Sequence, residues 1–557
     1  MNLPLPLSRP PHSRLPFLGL ACLALLVACS KTPSVSDAVK PAAAATPAAS
    51  PATVAASAPS PSGAVAAHPA DGIAWKKGDV DAAFAEAKAE NKPVFLYWGA
   101  VWCPPCNQVK ATIFNRQDFI ERSRAFVAVY IDGDAPNAQQ LGSRFKVSGY
   151  PSMLLFRPDG TELTRLPGEV DAQRYMQVLT MGMNGGRPVS ETLKTALRGG
   201  AGLTENDWRM LAYYSWETDE QQLVPKDKLP ETLTRLAKSC PKDLADPAER
   251  LTLESINLRA TAKPKPIGTG GDAYGTLETV LSDPKRSRES FDILTDSVGA
   301  TVRYATAQNA AGRPTLIADW DRMLEKSASD TTLSQADRLG AVDARVELAR
   351  VNQPKGPLPP TLLDFVRKET ARADHETTDA YERQSVINAA ASTLADAGLL
   401  DESDALLKNE LTRSHSPYYF MVDLAHNAKT RGDKAAAIDW LARAYDASEG
   451  PATRLQWGVI YLRGLVELAP NDEARIESVS ESVISQLNGN SDLLYERNRA
   501  SLAHLGKKLD EWNKTHQHDA ALARIRAKLD PVCTGATQDA TLRSRCLRLF
   551  NEPGDTV

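Results

Sequence analysis

The stretch Trp102-Cys103-Pro104-Pro105-Cys106 holds two cysteines with two residues between them. That spacing suits three chemistries: part of a zinc site, a dithiol that exchanges with disulfides, or a bridge that ties off a turn. Zinc needs a second pair of ligands at matching spacing, and neither the widely spaced Cys533 and Cys546 nor the histidines of THQHDA supply one. A purely structural bridge would close so short a loop that it would stabilise little. Redox exchange through Cys103 and Cys106 is the expected chemistry, with no metal and no cofactor.

Whether such a pair stays reduced depends on the compartment. The first 28 residues carry Arg9 and Arg14 and no acid, followed by the apolar run Leu15 to Ala28. The run is too short for a spanning helix and reads as a signal peptide over 1–28. It ends in LVACS, which resembles the bacterial lipobox. That resemblance implies cleavage before Cys29, lipid attachment at Cys29 and, with Ser30 in place of Asp, sorting to the outer membrane. The expected location is therefore the periplasm, lipid-anchored at its N-terminus.

Residues 29–72 form a tether. From Lys31 to Gly72 the chain has 15 Ala, 7 Pro and 6 Ser and no aromatic residue. Such a segment cannot bury enough surface to offset its ordering entropy, and it can hold the next domain on the order of 40 to 100 Å from the membrane. Loss of the signal removes Arg9 and Arg14, so the net charge of the 557-residue chain falls from −4 to −6. That balance argues against nucleic acid as a partner. Of the seven cysteines, Cys22 leaves with the signal and Cys29 takes lipid. Cys103, Cys106, Cys240, Cys533 and Cys546 remain, an odd number.

The elements around the pair alternate. DVDAAFAEAKAEN has helical spacing, PVFLYW is a buried strand, NQVKATIFNRQDFIERS a helix, AFVAVYID a strand and AQQLGSRF a short helix. After KVSGYPS, the pattern MLLFR, PDG, TELTRL predicts a β-hairpin, and DAQRYMQVLTMGM a closing helix started by Asp171. A CxxC that follows a central strand and opens a helix, with Gly149-Tyr150-Pro151 before a hairpin, resembles the thioredoxin-like superfamily over residues 71–185. KPVFLYWGAVWCPPC followed by ATIFNRQDFIERSRAFVAVYID is similar to the group that includes the C-terminal periplasmic domain of the transmembrane thiol:disulfide interchange protein.

The expected fold is thus an α/β thioredoxin-like domain over 73–185, a central mixed sheet with flanking helices. A helix N-terminus favours an anion, so Cys103 is expected as the attacking thiolate and Cys106 as the resolving thiol. The resemblance implies a cis peptide at Pro151 and a client groove shaped by Trp102, Tyr150 and Pro151. It also marks a departure: the buried acid of thioredoxins, six residues before the first cysteine, is Tyr97 here. Tyr97 itself, water, or another acid such as Asp132 or Asp134 in YIDGDAP are open alternatives for proton transfer, with a solvated loop as the simpler reading of the two aspartates.

Residues 189–557 are dominated by Ala, Leu and charged residues at helical spacing, and predict a large all-α domain. Gly398 and Gly432 recur at a spacing of 34, as do Pro417 and Pro451, so residues 385–470 resemble tetratricopeptide-type hairpins able to dock a partner. Trp208, Tyr213, Tyr214 and Trp216 read as core. Cys533 and Cys546 are expected to form a structural disulfide, leaving Cys240 over.

The resulting expectation is a thiol:disulfide oxidoreductase that reduces protein disulfides in the cell envelope, fed by a separate redox donor. An oxidase or isomerase, or an envelope scaffold with minor redox activity, are the alternatives.

Overall fold

The computed structural model describes residues 72–550 apart from 148, 169, 185, 220, 221 and 263–266. The signal, Cys29 and the tether up to residue 71 lie outside the described residues. The first folded part is a thioredoxin-like α/β domain. Its elements run β1 (Lys76–Lys77), α1 (Val80–Glu90), β2 (Val94–Gly99), α2 (Pro104–Val109), α3 (Gln117–Ser123), β3 (Val127–Asp132), α4 (Ala138–Phe145), β4 (Ser152–Phe156), β5 (Glu162–Leu166) and α5 (Ala172–Met183). The strand order is β1-β3-β2-β4-β5, parallel from β1 to β2 and antiparallel from β2 to β5. The short β1, which no hydrophobic pattern announces, pairs with β3.

β2 is buried along its whole length, as its unbroken apolar run requires of a strand covered on both faces. Its C-terminal end delivers the chain to Cys103, so the central strand aims the motif.

The single helix expected over residues 107–123 is two helices. α2 passes into a π-helical turn, Lys110–Phe114, and the chain breaks at Asn115 and Arg116 before α3. The reason is packing. Phe114 and Phe119 are both buried, with ring centroids 5.0 Å apart, yet in one straight α-helix they would point about 140° apart. The break turns both onto the same aromatic core beside Phe95.

From Val189 onward the described residues form a helical region. Ala380–Asp396 and Leu400–Glu410 make one helix pair and Pro417–Arg431 and Lys434–Ala447 the next. Gly398 and Gly432 sit at the equivalent turns with φ of +86° and +85°, a conformation glycine adopts freely. Pro417 and Pro451 each open a helix, where the missing N–H costs nothing. Trp208, Tyr213, Tyr214 and Trp216 are buried.

The helical region and the thioredoxin-like domain share one continuous core. The Ala380–Asp396 helix packs on α2, and the Glu496–His516 helix on α4. Two aspartates cap helices across the junction. Asp134, after β3, accepts from the backbone N–H of Thr453 at 2.8 Å, in the first turn of the Pro451–Leu468 helix. Asp492 of the helical region accepts from Gln139 N at 3.1 Å and Gln140 N at 2.9 Å, in the first turn of α4. Each satisfies helix N–H groups that its own helix cannot.

Candidate functional site

The loop between β2 and α2 sets the geometry. Cys103 is the N-cap of α2, and its Sγ accepts from the Cys106 N–H at 3.2 Å. Cys103 and Cys106 are joined as a disulfide. Pro104 and Pro105 occupy the first two helical positions and have no N–H, so Cys106 carries the first donor of the helix. Asn107, fully buried, ties the loop by donating to Val101 O at 2.8 Å and Cys103 O at 3.0 Å.

The Tyr150–Pro151 peptide is cis. Tyr150 packs edge-on against Trp98 and Trp102, at 4.6 and 5.9 Å between ring centroids. Trp102, which precedes Cys103, and Tyr150, which precedes Pro151, are thus in contact. Gly133 lies under the Tyr150 hydroxyl, where an added Cβ would come within 2.1 Å, so the β3–α4 turn has no room for a side chain there.

Tyr97 fills the place of the buried acid. Its ring stacks on Tyr130 at 5.2 Å, and its hydroxyl is buried without a hydrogen-bond partner. Burial, reinforced by Asp132, raises its pKa, so it stays a neutral phenol. Asp132 accepts from the Tyr130 hydroxyl at 2.9 Å. Lys110, held near Tyr130, is pulled down to about 8 by burial, against the opposing pull of Asp132. Asp132 is thus the charged group that acts on Tyr97, and Lys110 in turn feels Asp132.

Asp134 departs from its expected setting as a solvated loop residue. It is half-buried and engaged with the first turn of the Pro451–Leu468 helix, and burial pushes its carboxyl up to about 6 despite hydrogen bonds from Thr453 and Ala452. The loop reading fails because the helical region covers it.

The same cover lies over the motif. Trp102 donates from Nε1 to Thr453 Oγ1 at 2.7 Å, stacks with Tyr419 at 5.9 Å and meets Trp457 edge-on at 4.8 Å. Gln384 donates to Trp102 O at 3.3 Å, and His415 Nε2 lies 3.2 Å from Val101 O. Burial lowers the His415 pKa, so the ring is neutral and Nε2–H is the donor. Arg497 places its guanidinium 5.5 Å from the Trp102 ring centre and 4.8 Å from that of Tyr150. Cys103 is 2 % exposed and Cys106 not at all. Nothing in the sequence around Thr453, Gln384, His415 or Arg497 signals these roles, because three are ordinary helical residues and His415 sits in the bend before the Pro417–Arg431 helix, all far along the chain; Asn107 alone has a position, beside Cys106, that could have drawn attention to it.

Cys533 and Cys546 are bonded to each other, linking the Leu529–Ala536 and Ala540–Arg548 helices. Cys240 is a free, buried thiol, its pKa pushed up to about 11 chiefly by burial.

Residues 80–181 match the model of a family described as thioredoxin-like domain. The chain is 34 % identical over 117 residues to the thiol:disulfide interchange protein DsbD of Pseudomonas fluorescens, covering 20 % of each chain. It is 32 % identical over 115 residues to thiol:disulfide interchange protein DsbD 2 of Pseudomonas aeruginosa, again 20 % of each. The chain therefore spans about a fifth of the length of these relatives. Among solved structures it is similar to a DsbH oxidoreductase at 20 % identity and a TM-score of 0.19, covering 21 % of this chain and 88 % of that one.

Proposed function

We propose that this chain, with its thioredoxin-like domain at residues 80–181, is a thiol:disulfide oxidoreductase that reduces protein disulfides through Cys103 and Cys106. The observation that carries the reading is the placement of Cys103 at the N-cap of α2 with Cys106 in its first turn, while Tyr150, which precedes the cis proline, packs on Trp102 next to Cys103 in the chain. The similarity to thiol:disulfide interchange proteins supports it.

In the exchange, the Cys103 thiolate attacks one sulfur of a client disulfide. A mixed disulfide forms, the client S–S bond breaks, and the leaving sulfur departs as a thiolate that takes a proton. Cys106, deprotonated, then attacks the Cys103 sulfur, releasing the second client thiol and closing the Cys103–Cys106 bridge. Two electrons pass from the pair to the client, and a dithiol donor protein must return them. Asp132 and Lys110 are the groups we assign to proton transfer around the motif, in the place where Tyr97 cannot ionise.

Lipid attachment at Cys29 and an outer-membrane, periplasm-facing location belong to the same reading, supported by the LVACS sequence and the apolar run before it. Among the described residues no helix is long and apolar enough to cross a membrane. The helical region would dock a partner on faces other than the one already packed on the motif. That packing favours a second reading, an envelope scaffold in which the dithiol is held in reserve.

Trapping separates the two. Cys106→Ser should accumulate covalent client complexes that dithiothreitol dissolves, and Cys103→Ser few. Equal trapping by both variants would overturn the nucleophile assignment, and none by either would favour the scaffold.

A further inference from the structure

A thiolate at Cys103 needs positive potential, and α2 supplies less than an ordinary helix would. Pro104 and Pro105 remove two N–H groups from its first turn, leaving the Cys106 N–H on Sγ, while the next, of Asn107, is spent on Cys103 O at 3.0 Å.

Among the described residues, one cation stacks on the rings at this locus. The Arg497 guanidinium lies over both Trp102, the residue before Cys103, and Tyr150, the residue before the cis proline. These two rings are themselves in contact. Among the described residues, no carboxylate is in ion-pair range of Arg497.

The nearby acids are engaged elsewhere. Asp134 accepts from Thr453 N and Oγ1, and Asp423 from Asn388 Nδ2 at 2.9 Å. Asp132 serves Tyr130 and the Asp134 N–H. Tyr150, Tyr418 and Tyr419 are phenols whose pKa values burial raises, so they carry no charge. His415 is neutral, and Lys110 faces Tyr130 and Asp132. Partial burial without a counter-ion disfavours the Arg497 charge, a cost that an anion formed at the same locus would relieve.

We propose that Arg497, contributed by the helical region, is the positioning cation that stabilises the Cys103 thiolate, so that the redox site is completed by both parts of the chain. The inference rests on the oxidoreductase reading above. It gives the helical region a part in the chemistry, distinct from partner docking.

The test is the Cys103 pKa, read from thiolate absorbance at 240 nm in the full chain carrying Cys106→Ser, which requires no reagent to enter the buried site. Arg497→Met should raise that pKa by about 1, and Arg497→Lys should restore most of the difference. Should Arg497→Met fail to fold, Arg497→Gln, uncharged and of similar reach, takes its place with the same expected shift. An unchanged pKa in the uncharged variant would overturn the proposal, as would an equal rise in the lysine variant, which would mark a packing effect. If the pKa is unchanged while client trapping persists, this inference alone fails. If no trapping occurs in the parent protein, the oxidoreductase reading fails instead.

Discussion

The indole Nε1 of Trp102 and the hydroxyl of Thr453 are 2.7 Å apart, joined by a hydrogen bond that spans 351 positions of sequence. Thr453 passes the contact on, donating from Oγ1 to Asp134 while its backbone N–H donates to the same carboxylate. The residue beside the nucleophile is thereby fastened to the first turn of a helix in the other half of the chain. With Cys103 2 % exposed, we expect a protein client to reach it only when this cover opens.

Thr453→Val keeps the shape and removes the hydroxyl, leaving the Trp102 N–H without its acceptor. Loss of a buried partner of this kind costs about 1–3 kcal/mol, so opening should become about tenfold more frequent. The expected result is a corresponding rise in the iodoacetamide labelling rate of Cys103 in the Cys106→Ser protein. An unchanged rate would show that the hydroxyl does not hold the cover.

Asp134 should make the cover pH-dependent. Its carboxyl is raised from 3.8 to about 6 when packed, burial being the main cause. The closed form therefore binds a proton more tightly than the open one. Its contribution to closure is fully present below about pH 4 and is lost as pH rises through about 6. The ratio of Cys103 labelling rates, Asp134 protein over Asp134→Asn, should climb across this window, the common thiol ionisation cancelling. A flat ratio would contradict the prediction.

The Cys533–Cys546 bridge links the Leu529–Ala536 and Ala540–Arg548 helices and is expected to take no part in exchange with clients. Replacing both cysteines with alanine should lower stability by about 2–3 kcal/mol, the loss expected for a loop of this size. Urea unfolding should show the lowered midpoint while client trapping through Cys103 persists. Loss of trapping together with normal stability would contradict this separation.

Cys29→Ala should abolish incorporation of labelled palmitate and block processing of the signal. The thioredoxin-like domain lies downstream of Cys29 and should retain its exchange activity. Continued labelling would remove Cys29 as the attachment site.

The motif and its scaffold were legible because their signals are local. The strand ending at Gly99, the N-cap at Asp171 and the hairpin from Ser152 to Leu166 each depend on residues within a turn or a strand pair of one another. So do the glycines at 398 and 432, whose positive φ ends one helix before the next begins. Even the interrupted helix after Val109 had a local cause that the pattern concealed, since Phe114 and Phe119 were both apolar but could not share one face without a break.

Local pattern specifies a dithiol at the mouth of a thioredoxin-like sheet and a helical region beyond it. Only the tertiary structure decided that the two parts pack as one, with Thr453, Tyr419, Trp457 and Arg497 on Trp102. Threonine, aspartate and arginine are common on helix surfaces, and nothing in their neighbours marks the few that face another element. Asp134 could be read as a loop acid and Arg497 as a solvated charge, because burial is a property of what arrives from elsewhere in the chain. The same long-range packing that removes water from Cys103 also shifts Asp134, and no window of local sequence contains both halves of that contact.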